Sequence, residues 1–124
     1  MDQETLVKQG KALVVALDRV GFIPRIAMWV HSTDTDTWKL WIVPPKGFSD
    51  KREFYRRVAE IISLNRIELG GLDVSDTEMV QDSHPAMKGI SRFIRVPDLA
   101  AVSFSGNRFN HFYLPDGIIL RSNL

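Results

Sequence analysis

The chain has 124 residues, of which 44% are hydrophobic and 25% charged, and it contains no cysteine. One domain is expected at this length, able to bury about two-thirds of its unfolded surface without disulfides or a structural metal. Disulfide frameworks, thiol nucleophiles and cysteine-based zinc sites are excluded. The net charge of +1, from 16 Lys and Arg against 15 Asp and Glu, argues against a uniformly basic nucleic-acid-binding surface.

The start, Met-Asp-Gln-Glu, has no basic stretch leading into an apolar one, so no signal peptide is expected. No apolar run approaches the length of a membrane span. A cytoplasmic protein with no membrane association is the expectation.

Leu6, Leu13, Leu17 and Val20 recur at helical spacing and predict a first helix from about Gln3 to Val20, with Asp2 as its N-cap. Gly21 supplies the left-handed residue past its end, Phe22 folds back on Leu17, and Pro24 prevents continuation. Arg25–His31 and Thr37–Val43 read as the strands of a hairpin, joined by the polar loop Ser32 to Asp36. A five-residue loop pairs His31 with Thr37. That register places Ile26, Met28 and Val30 beside Trp38, Leu40 and Ile42, and sets Trp29, Lys39 and Trp41 together on the other face.

Pro44-Pro45-Lys46-Gly47 ends the second strand, and a helix is expected from about Asp50 to Arg66. Asp50 and Glu53 resemble a capping box, and Phe54, Val58, Ile61 and Ile62 form its buried stripe. A loop through Gly70-Gly71 leads to a short strand at Thr77–Asp82. Ser83 as N-cap and Pro85 in the first turn open a short helix carrying Met87, Ile90, Phe93 and Ile94. Gly106-Asn107 is then read as a hairpin turn between Ala100–Ser105 and Arg108–Leu114. Pro115-Asp116-Gly117 is read as a second turn, before Ile118–Ser122. The order is α-β-β-α-β-α-β-β-β: an α+β fold with a mainly antiparallel sheet and about three helices packed on it. Apolar residues fall on both faces of the C-terminal meander, so it is covered on both sides or meets a partner.

No phosphate-binding glycine loop, nucleophile elbow or zinc-protease motif is present, and no cofactor is implied. Asp34 and Asp36 form a D-x-D pair of the kind that can hold a divalent cation, but hairpin-loop turn chemistry already accounts for them. Of the three histidines, His111 is placed directly across from Arg121 and beside Tyr113. A cation there would favour the neutral base, as a ribonuclease-like hydrolase needs, yet no second catalytic partner is visible. Lys46, Lys51, Arg52, Arg56 and Arg57 cluster with Phe48 and Tyr55 around the start of the second helix, a combination suited to phosphate contact and base stacking. Glu53 and Glu60 stand at pairing distance from the arginines, so a solvated ion-paired face is the competing explanation. Arg66–Asp82 holds five acidic residues and one basic, whereas Lys88–Arg95 holds three basic and none acidic. Separated patches of this kind favour oriented docking to a protein. With the paired Trp29 and Trp41 as interface aromatics, the residues point first to a non-enzymatic binding or assembly protein. It would act through a protein partner or self-association. Nucleic-acid binding through the basic helix, and hydrolysis at His111, are the alternatives.

Overall fold

The computed structural model describes residues 2–124. Helix α1 spans Gln3–Arg19, strands β1 and β2 Ile26–Ser32 and Thr37–Val43, and helix α2 Lys51–Leu64. A four-residue helix α3, Arg66–Leu69, and a single 3-10 turn, Val74–Asp76, lead to β3, Thr77–Met79. Helix α4, Pro85–Phe93, and strands β4, Val102–Phe109, and β5, Phe112–Ser122, complete the chain. The five strands form one sheet in the order β3-β2-β1-β5-β4. The class is α+β, as expected. The sheet is mixed, because β3 runs parallel to β2 while every other pairing is antiparallel.

Local signals set the helix ends. The Asp2 carboxylate accepts from the Thr5 amide at 2.8 Å, and Asp50 accepts from the Glu53 amide at 3.1 Å. Gly21 sits at φ 78°, and the Phe22 amide reaches back to the Leu17 carbonyl at 3.0 Å, closing α1 in a Schellman-type end. At α4 the cap is His84 rather than Ser83, with the Ala86 amide donating to His84 Nδ1.

The sheet is covered on both faces. Helices α1 and α2 pack Leu6, Leu13, Leu17, Phe54 and Val58 against Ala27, Trp29, Leu40, Ile42, Ile118 and Leu120. On the opposite face α4 brings Ala86, Met87 and Ile90 onto Ile26, Met28, Val30, Val43 and Ile119. Leu120 has no partner on β1, whose register shifts between Ala27 and Met28. This bulge lets Leu120 and Arg121 both turn toward α1.

Two pairings differ from the sequence expectation. The β1–β2 loop holds four residues, so Ser32, not His31, faces Thr37, and Trp29 lies opposite Leu40. A shift of one residue exchanges cross-strand partners between faces, and Trp29 and Trp41 therefore sit on opposite sides of the sheet. Near the C-terminus, the expected three-stranded meander is a single hairpin of long strands, β4 and β5. The turn is Asn110-His111, with φ of 52° and 67°, the left-handed pair of a tight two-residue hairpin turn. Gly106, at φ 47°, lies within β4 opposite Pro115, and these two residues form no ladder pair. The hairpin coils at this point. Its inner half keeps Ser103 beside Ile118 over the α1 side, while Phe109 and Leu114 of its outer half fold onto α4. Burying Phe109 against α4 is what moves the turn outward from Gly106-Asn107.

Candidate functional site

The coiling of the C-terminal hairpin creates a cleft. Trp41 projects from β2 on the α4 side, Ser83 and His84 precede α4, and Phe112 comes over from the start of β5. Glu78 and Gln81 from β3 and its exit, and Lys51 from the start of α2, complete a half-open cleft of about 520 Å³. The three rings make a continuous wall. His84 lies 5.5 Å from the Trp41 ring centroid and 4.6 Å from that of Phe112, both at steep angles. Phe112 is 38% exposed, so this wall is reachable from solvent.

His84 is held in one role. Its Nδ1 accepts the Ala86 amide at 3.1 Å, which places the proton of the neutral ring on Nε2. Burial among the aromatic rings lowers its pKa below the usual histidine value, and the nearby Glu78 carboxylate opposes that incompletely. A neutral histidine lining an aromatic cleft suits recognition of a carbonyl or hydroxyl. Its basic nitrogen is already used by the helix, which disfavours proton abstraction.

The residues singled out in the sequence scatter over the molecule. Trp41 and Lys51 line the cleft. Trp29 is 1% exposed and donates its indole N–H to the Leu6 carbonyl at 2.7 Å, which makes it a core residue pinning α1 to the sheet. Lys39 reaches the Ser75 carbonyl and ties β2 to the turn before β3. Lys46 and Arg52 are exposed. Arg56 bonds Glu53 at 2.6 Å and Glu60 at 3.1 Å, and Arg57 bonds Glu53 at 3.1 Å while lying over the Phe22 and Phe48 rings. The Arg56 and then the Arg57 hydrogen bonds lower the Glu53 pKa to about 2. His111 and Arg121 are not neighbours. His111 occupies the exposed hairpin turn, whereas Arg121 is buried opposite Ala27. Both its terminal nitrogens hold the Asp18 carboxylate at 2.9 Å, and the pairing raises its pKa. Asp36 Oδ1 sits 2.8 Å from His31 Nε2, while Asp34 is exposed in the same loop. Among the described residues no group of three His, Asp or Glu is placed to hold a metal ion.

One arrangement escaped the sequence reading. Trp38, His31, Asp116 and Ser105 form a single cross-strand row on the α1 side of the sheet. Ser105 Oγ lies 3.0 Å from Asp116 Oδ1 and donates to it, and His31 pairs with Asp36. Serine and histidine each hold a different carboxylate, so the row presents no hydrogen-bonded nucleophile and base. Only the strand order brings these residues together, and no local motif announces it.

No family model matches this chain, and no curated protein or solved structure matches it significantly. No helix among the described residues is long and apolar enough to cross a membrane.

Proposed function

We propose that the chain is a small non-enzymatic binding protein of the cytoplasm, acting through protein–protein contacts at the Trp41–His84–Phe112 cleft. The observation that carries the reading is the accessible wall of three rings rimmed by Lys51 and Glu78. Aromatic anchors dominate the energetics of protein interfaces, and oppositely charged groups at the rim orient an approaching chain. The cleft suits a partner segment that inserts one apolar side chain and offers a backbone carbonyl to His84 Nε2.

The test is selection of phage-displayed random peptides on the immobilised protein. Wild type is expected to enrich sequences sharing an apolar anchor. Trp41→Ala and Phe112→Ala, each verified as folded by circular dichroism, are expected to lower binding of those peptides at least about tenfold, on the scale of an interface anchor. Enrichment unchanged by both substitutions would remove the cleft from the reading.

Nucleic-acid binding along α2 draws support from exposed Lys46, Lys51 and Arg52. The guanidinium groups of Arg56 and Arg57 are already engaged by Glu53 and Glu60, so phosphate would compete with carboxylates for them. A salt-sensitive RNA or DNA mobility shift, lost on replacing the three exposed cations, would favour this second reading. Hydrolysis at His111 has less support, because Arg121 is committed to Asp18 away from the turn.

A further inference from the structure

Helix α1 begins at Gln3 and is pinned over Trp29 by the bond to the Leu6 carbonyl. The next row of the sheet, Trp38, His31, Asp116 and Ser105, lies at the end of that helix instead of beneath it. Gln3, Trp38, Ser103, Ser105 and Asp116 border a shallow hollow of about 220 Å³ there. Trp38 is partly buried against the α1-side core, with the His31 ring 5.0 Å away, whereas Asp116 and the two serines are exposed. The Ser105 hydroxyl orients the Asp116 carboxylate through Oδ1.

The charges at this end of the sheet have one sign. Residues 2–7, 31–38, 102–107 and 112–117 supply the hollow and its row, and they carry Asp2, Glu4, Asp34, Asp36 and Asp116 with no lysine or arginine. Lys39, next along β2, stands opposite Val30 on the α4 side and reaches the Ser75 carbonyl. Lys8 is more than a turn further along α1, and Arg108 lies over the Tyr113 ring near the hairpin tip. A negative field over an indole attracts a cation. Arginine fits such a surface better than lysine, because its planar group stacks on an aromatic ring while its N–H groups meet a carboxylate. The row crosses four strands, roughly 14 Å at the usual inter-strand spacing. That is longer than any single cationic group, so it suits an extended segment with more than one basic residue.

We propose that this end of the sheet docks a basic segment of a partner protein, with one arginine stacked on Trp38 and paired with Asp116. The proposal adds a second contact to the binding reading above and rests on it only in requiring a protein partner. The Trp41 cleft, on the opposite face of the sheet, stays open when this surface is occupied.

The probe is an N-acetylated hexaarginine peptide, titrated into the full chain at low salt. The indole N–H signals of the three tryptophans report where it sits in heteronuclear NMR spectra. The Trp38 signal is expected to move, with an affinity that falls as salt is raised. Asp116→Asn, which keeps an acceptor for Ser105, and Trp38→Leu, which keeps apolar cover over the core, are checked as folded by circular dichroism. Each is expected to weaken binding at least about threefold, followed through the backbone amides of β5. Glu68→Gln, on the exposed side of α3, is expected to leave it unchanged. Absence of binding at low salt would overturn the proposal, and so would equal losses in Asp116→Asn and Glu68→Gln, the mark of diffuse attraction to acidic groups. Movement of the Trp41 signal alone would overturn this site while favouring the cleft. Methylguanidinium binding as tightly as the peptide would replace the docked segment with a small cation. Failure of peptide selection at the cleft would leave the proposal in force.

Discussion

His84 joins three roles in one side chain: cap of α4, wall of the cleft and sensor of its own burial. Its lowered pKa means that the folded protein binds this proton less readily than the unfolded chain. The stability it contributes is therefore complete above the ordinary histidine pKa, near 6.5, and is lost as pH falls below it. Protonation also removes the Nδ1 lone pair that receives the Ala86 amide. Glu78 moderates the effect. Thermal melts between pH 7.5 and 5 are expected to show a falling midpoint that is flatter in His84→Asn, which keeps an N-cap oxygen but does not titrate. An identical pH profile in the variant would assign the dependence to other groups.

At the scale of elements, the contact between α4 and the hairpin tip inverts an ordinary rule. Alanine in a helix interior is favoured over glycine by about 1 kcal/mol. A Cβ at Gly89, however, would stand 2.6 Å from the Phe109 carbonyl carbon and 2.7 Å from the Asn110 nitrogen. Gly89→Ala is therefore expected to destabilise, by about 1–3 kcal/mol as overpacked sites do, measured by denaturant unfolding. A rise in stability would mean the tip yields freely. The same contact shows where sequence reasoning stops. Asp2, Gly21, Phe22 and Asp50 act on neighbours a few residues away, and their roles were legible from spacing alone. Gly106-Asn107 is a sound turn signal by local chemistry. It is overridden because Phe109 is buried only if the strand runs past it to Asn110, a gain that depends on a helix earlier in the chain. The β1–β2 register failed for a similar reason. Loop composition does not distinguish four residues from five, and burial of Trp29 against Leu6 of α1 decides it. Trp41 and Lys51 were recognisable as surface candidates. His84 joins them only through the packing of α4 on the sheet, and Phe112 only through the coiled hairpin, so half of the cleft was invisible without topology.

Across the whole molecule, the strand order places β1 and β5 side by side, and an ion pair clasps β5 to α1. Arg121 is 6% exposed and depends on Asp18 for its main compensation, with the Pro24 carbonyl at 3.3 Å and Asp98 at 4.0 Å as lesser partners. Removing one member of such a pair leaves the other buried without its charge partner. Asp18→Ala is expected to cost about 3 kcal/mol, and Asp18→Glu much less, as read from urea midpoints. Equal losses in both would mean that packing at this position, not charge, holds α1 to the sheet.

Strand β1 takes β2, its next neighbour in sequence, on one side and β5, from the far end of the chain, on the other. On a ribosome adding about 5–20 residues per second, β1 waits several seconds, flanked on one side only, before β5 has been made. Throughout that interval Ala27, Met28 and Trp29 lie along a strand whose second edge is open and whose covering layers are incomplete. A chain interrupted in this window is left with an adhesive edge instead of a smaller fold. The second edge of β1 is thus a feature of the growing chain that closes only when β5 has been made.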